Sequence, residues 1–110
     1  MTEMLPKPPK WIVGVALERW DQIWTVVDRE RVRPEIHADS VAIYCQAYSS
    51  FCEANENINA IGLVNEIGNR IIANPYVAIR ATAAKTMLEL APDLGLSAGS
   101  PRMSWPTDDN

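Results

Sequence analysis

Three arginines at alternate positions, Arg29, Arg31 and Arg33, form the densest group of like charge in the sequence. A guanidinium is a planar fork of donors that meets a phosphate through paired hydrogen bonds, so an exposed group of this kind suits a nucleic-acid backbone. Asp28, Glu30 and Glu35 are interleaved with it. The competing reading is a solvated, self-neutralising helix end, with cations placed favourably near a helix C-terminus. Lys7 and Lys10 stand among Pro6, Pro8 and Pro9 on a terminal stretch that could track phosphates or could simply be unstructured. Nucleophilic and metal chemistry are poorly served. His37 is the only histidine, and Cys45 and Cys52 are seven positions apart. On a helix that spacing separates their Cα atoms by roughly 10.5 Å, beyond disulfide reach and unlike the close pairing of a structural zinc site. Both thiols fall on an apolar face, where buried cysteines are inert, and there is no glycine-rich phosphate loop of the ATPase kind. No catalytic residue, metal or cofactor is expected.

The elements that must position these residues belong to one small domain of 110 residues, 47% hydrophobic and 22% charged. Folding at this length buries only about 60 to 68% of the unfolded chain's surface, so further copies or a partner are expected to cover more. Ten Lys and Arg against fourteen Asp and Glu give a net charge of −4. Binding to nucleic acid by bulk charge is thereby excluded, and any DNA contact must come from a local patch. Repetition of a weak patch around a closed ring would present many contacts together. The longest apolar runs, such as Trp11 to Ala16, fall well short of the roughly 18 to 20 residues that span a bilayer. Met1 to Lys10 does not resemble a secretory signal, so a cytoplasmic protein is expected.

Periodicity predicts residues 1–10 as a flexible proline-rich arm, 11–96 as a single helical domain and 97–110 as a loose C-terminal tail. The first helix is expected from about Val13 to Glu30, with Val13, Leu17, Trp20, Ile23, Trp24 and Val27 on one face and Trp11, Trp20 and Trp24 as core residues. Pro34 disfavours a helical Arg33 and forces a turn. Asp39 is the expected N-cap of a second helix reaching about Ala60, with Val41, Tyr44, Cys45, Tyr48, Phe51 and Cys52 on its apolar face. From Ile61 to Ile72 two glycines and β-branched residues flank a Glu66 to Asn69 turn, the pattern of a short β-hairpin. Such a hairpin is marginal alone and must pack on the helices or pair with a neighbouring subunit. Asn74-Pro75 then reads as an N-cap and first helical residue, Gly95 as a C-terminal stop, and Pro92 as a kink in the last turn. The third helix has a stripe too wide for one neighbour. Tyr44, Tyr48, Phe51, Ile79, Ala83, Met87 and Leu90 are thus candidates for contacts between subunits, with ordinary core as the alternative for each.

One ordered set of fragments resembles a known family. Pro8-Pro9-Lys10-Trp11, Trp20 with Ile23, Tyr44-Cys45, Ala47-Tyr48, Gly62-Leu63-Val64, Asn74-Pro75-Tyr76 with Arg80, Met87, and Leu94-Gly95-Leu96-Ser97 follow the order and spacing of the small terminase subunit of tailed bacteriophages. The chain departs from that pattern where Ser100-Pro101-Arg102 interrupts the small-residue tail, which puts the role of Arg102 in doubt. The resemblance implies a helical, ring-forming protein that binds double-stranded viral DNA in the host cytoplasm. It also implies that the DNA is passed to the large terminase subunit, the ATPase and nuclease of packaging. The expected fold class is mainly α: a helical hairpin plus a third long helix, with a short β-hairpin between helices two and three, in a ring-forming oligomer. Lys7, Lys10, Arg29, Arg31 and Arg33 are the expected DNA contacts. Two rivals stand beside this reading: a dimeric helix-turn-helix transcriptional regulator, and a helical scaffold that binds only protein. Against the regulator, no basic residue lies between Asp39 and Ala60 to serve a recognition helix.

Overall fold

The computed structural model describes residues 5–96. The expected tail from Ser97, with Arg102, lies outside the described residues. The order of elements is α1 (Val15–Val26), α2 (Pro34–Ile61), β1 (Val64–Ile67), β2 (Arg70–Ala73) and α3 (Pro75–Leu94). The expected mainly helical architecture, with a two-stranded antiparallel hairpin between the second and third helices, is what the chain adopts.

The first helix is shorter than its periodicity suggested. Gly14 takes a φ of 61° at the N-cap, which only glycine adopts without strain, and the chain before it leaves the helix axis. Val13 and Trp11, both expected on the buried face, are therefore outside the helix and 67% and 55% exposed, while Ile12 between them is buried. At the other end α1 stops at Val26 rather than Glu30. The Asp28 carboxylate accepts the Glu30 N–H at 3.0 Å, and the Asp28 carbonyl accepts the N–H groups of Arg31 and Val32 at 3.0 and 2.8 Å. That local turn competes with helical hydrogen bonding and wins.

The second helix begins at Pro34, not after Asp39. Proline's fixed φ and missing N–H suit the first helical position, and Arg33 supplies the extended residue before it at φ −110°, ψ 134°. His37 Nδ1, one turn inside, accepts the Arg33 N–H at 2.9 Å, whereas the Arg33 side chain makes no capping bond to the first turn. Gly62 ends this 28-residue helix. At the hairpin Ile67 pairs with Arg70, leaving Gly68-Asn69 as a two-residue loop with a φ of +63° at Gly68, the position where a type II′ turn needs glycine.

Asn74 starts α3 as the sequence predicts: its side chain accepts the Tyr76 N–H at 2.9 Å, and Pro75 follows. Its amide also donates to the Asn57 side chain at 2.9 Å and the Gly62 carbonyl at 2.8 Å, and the buried side chain thereby ties the end of α2 to the start of α3. Gly95 caps α3 in the left-handed conformation, and the helix runs through Pro92 to reach it.

The core gathers at one end of the molecule. Trp20, Ile23 and Trp24 from α1 meet Val41, Tyr44 and Cys45 from α2 and Met87 and Leu94 from α3, with Trp20 and Trp24 edge to face at 5.8 Å. Beyond the reach of α1 only α2 and α3 pack together. There a polar seam joins them: Tyr76 to Glu53 at 3.2 Å and Arg80 to Asn55 at 3.1 Å, besides the Asn74 network. The hairpin lies past this thin end, and all of its strand residues except Asn65 are exposed.

Candidate nucleic-acid interface

The three arginines sit on the turn between α1 and α2, which the Asp28 hydrogen bonds and Pro34 shape. They do not act as one cluster. Arg29 and Arg33 share an open polar groove of about 410 Å³ with Glu30, Pro34 and Glu35. Arg31 lines a different groove, with Val26, Val27 and Asp28 on one side and Pro92 to Leu96 of the α3 end on the other. On an extended chain, residues two apart would share a side; here the Asp28 carbonyl, accepting from the N–H groups of Arg31 and Val32, curls the backbone into a turn, and that is why spacing of two residues divides the group.

Arg29 is folded back on the protein. Its Nε and Nη2 both donate to the Trp24 carbonyl at 3.2 Å, and its guanidinium stands 5.3 Å from the Trp24 ring centre. An orphan carbonyl at the end of α1 is thereby satisfied and the Trp24 ring covered. Arg31 is exposed. Arg33 makes a 3.4 Å ion pair with Glu35, both side chains more than half exposed. Exposed pairs of this kind contribute about 0 to 1 kcal/mol, so phosphate could displace Glu35 at little cost.

Lys7 and Lys10 are both exposed, and neither lines the grooves that hold the arginines. Their segment runs along the helices: the Trp20 indole donates to the Pro6 carbonyl at 2.9 Å, and Trp11 lies against α2 and α3 beside Ile43 and Ile79. Among the candidate subunit contacts, Tyr44, Ala83 and Met87 are buried within a single chain. Tyr48, Phe51 and Leu90 are half-buried against the core, and Ile79 is exposed.

One cation escaped the sequence reading. Arg19 is buried on α1, donating to Gln22 at 3.0 Å with its guanidinium 4.2 Å from the Tyr48 ring centre. Its place between Ala16, Trp20 and Ile23 on the inward stripe is the signal that could have found it. Burial raises the Tyr44 and Tyr48 hydroxyls above their ordinary range, and the Arg19 charge partly opposes this. Burial pushes the Cys45 thiol up to about 12, so it is a thiol and not a thiolate at neutral pH. Cys45 and Cys52 are unpaired by any disulfide, Cys45 buried as expected but Cys52 only half-buried. Among the described residues no group of three or more His, Cys, Asp or Glu could hold a metal ion, and no helix is long and apolar enough to cross a membrane.

These features define a class: a small helical chain that presents an arginine-bearing turn at one end and an uncovered hairpin at the other. The chain belongs to the phage terminase small subunit family, whose model matches residues 16–104, the length from α1 past the end of α3. No curated protein and no solved structure matches it. Family membership places the chain in phage DNA packaging.

Proposed function

We propose that this chain is a homo-oligomeric, ring-forming small terminase subunit. It recognises double-stranded viral DNA in the host cytoplasm and regulates the large subunit, which carries the ATPase and nuclease. The observation that carries the DNA-binding part is the arginine turn: Arg31 and Arg33 are exposed on a segment braced at both ends by local hydrogen bonds and by Pro34. Arg29 holds the turn against Trp24, while Lys7 and Lys10 add outlying contacts. Binding is positional, because several copies present the same turn to one duplex and a net charge of −4 per chain gives no general attraction. The chain contributes recognition and assembly, and the motor chemistry belongs to its partner.

Against the regulator reading stands the composition of the second helix. Across all 28 residues of α2 there is no Lys or Arg to approach a phosphate or a guanine. Native mass spectrometry of the full chain, with and without a phage-DNA fragment at low salt, tests the proposal. A closed ring that gains DNA mass is the expected result. A stable monomer or dimer would overturn the ring, and an oligomer that binds no DNA at low salt would leave a protein-binding scaffold.

A further inference from the structure

We infer that the β-hairpin of one copy seats in the α2–α3 groove of the next, so that copies join head to tail. The inference deepens the oligomeric reading above and rests on it. A two-stranded hairpin is at best marginal in water, yet this one has no helix packed over it. Ile71, 69% exposed, shares one face of the hairpin with Val64 and Glu66, and Ile67, 61% exposed, shares the other with Ile72 and Arg70; Leu63 at the base is 58% exposed, and the outer edges of both strands are unpaired among the described residues. Apolar surface of this kind on a structure that needs support marks a contact with another body.

A complementary surface exists on the same chain. An open groove of about 490 Å³ runs between α2 and α3, flanked by Trp11, Ile43 and Ile79 over a floor that includes Ala47, Ala78 and Ala83. Large flanks over a small-residue floor leave room for branched aliphatic side chains. The remaining lining residues, Gln46, Ser50, Thr82 and Thr86, are neutral. No lining side chain carries a charge, so a phosphate is the wrong occupant and an apolar segment the right one.

The hairpin contributes no residue to the groove of its own chain. The 28 residues of α2 span about 42 Å, and the molecule is 62 Å long, so the hairpin continues the long axis beyond the helices. Ser50, the groove residue nearest the hairpin along α2, lies 11 positions before Ile61, about 17 Å back in the other direction. A convex patch at one end and a concave patch on the flank make a heterologous interface, the kind that propagates from copy to copy and closes into a ring when the rotation allows.

The test uses three full-length variants and the unmodified chain, followed by native mass spectrometry without DNA. Ile71→Asp removes the knob, and Ala78→Glu, at an exposed position, blocks the groove. Each alone is expected to reduce the assembly to the single-chain mass of 12.3 kDa. Mixed one to one, they are expected to form a dimer and nothing larger, because one intact hairpin and one intact groove remain. The double variant Ile71→Cys, Thr82→Cys is expected to give a ladder of crosslinked chains under mild oxidation, with neither single variant doing so. It also decides the matter if Ile71→Asp loses helicity. Normal assembly of Ala78→Glu, together with dimers from Ile71→Cys alone, would replace the inference by edge-to-edge pairing of hairpins. Normal assembly of both charged variants would overturn it and assign the groove to another occupant, such as residues 97–110. A monomeric unmodified chain would refute the oligomeric reading itself.

Discussion

Replacing Arg31 and Arg33 together by alanine tests the DNA-binding reading most directly, because the structure gives the three arginines of the turn different work. Each exposed arginine that neutralises one phosphate contributes about −0.9 to the slope of log K against log salt concentration. At roughly 0.1 M salt that is about eightfold in affinity per contact, so the double variant should lose about 60-fold for every chain that touches the duplex. Its salt slope should become shallower by about 1.8 per contacting chain. Arg29→Ala should behave otherwise. Its guanidinium is engaged at 3.2 Å on the Trp24 carbonyl, so its loss should lower stability by about 1 to 2 kcal/mol and change the salt slope little. Fluorescence anisotropy with a phage-DNA fragment, titrated between 50 and 200 mM salt, reads both quantities while native mass spectrometry checks assembly. An intact oligomer of the double variant with unmodified affinity and slope would refute the assignment and leave the turn as a solvated helix end.

Asn74→Ala should lower stability by about 2 to 4 kcal/mol, since it removes the cap on Tyr76 and strands the carbonyl oxygens of Asn57 and Gly62. Urea unfolding at several protein concentrations measures it, and a loss below about 0.5 kcal/mol would mean that the network is solvated. Gly95→Ala should cost about 1 kcal/mol through backbone strain alone, because φ is +68° and a Cβ there meets no atom within 4 Å. Thermal unfolding would show it, and an unchanged midpoint would argue against the left-handed cap. For Cys45 the sign follows from its raised value: the unfolded thiol titrates near 9.0 and the folded one near 12. The stability it confers is complete below pH 9 and falls as pH rises from there towards 12, because the unfolded chain releases the proton first. Midpoints recorded from pH 8 to pH 11 should decline less steeply in Cys45→Ala than in the unmodified chain, and equal slopes would contradict the burial of the thiol.

Local rules accounted for the elements wherever they acted alone. Asn74-Pro75 and Gly95 bound the third helix as written in the sequence, since capping and left-handed φ depend on the residue and its immediate neighbours. The same rule at Pro34 was masked by Asp39, an equally good cap that lies five residues later, and the extended Arg33 decided between them. At the end of α1 the apolar period runs on to Val27, but the Asp28 turn captures the backbone first. Of the candidate site, the residue types were legible and their grouping was not. Alternation in sequence looked like one basic cluster, whereas the turn sends Arg31 to one groove and Arg33 to another and folds Arg29 onto Trp24.

By itself, then, the sequence determined the mainly helical class, the hairpin between the second and third helices, most of the core, and a family resemblance that the match over residues 16–104 establishes. Periodicity and capping are short-range properties, complete within a few residues of chain. Tertiary structure alone decided which apolar residues face inward and which are left over. Tyr44, Ala83 and Met87 close the core of one chain, while Trp11, Ile79 and the hairpin isoleucines stay exposed. The reason is geometric: α1 is only 12 residues long and covers one end of the α2–α3 pair, so whether an apolar side chain is buried depends on its distance along that pair.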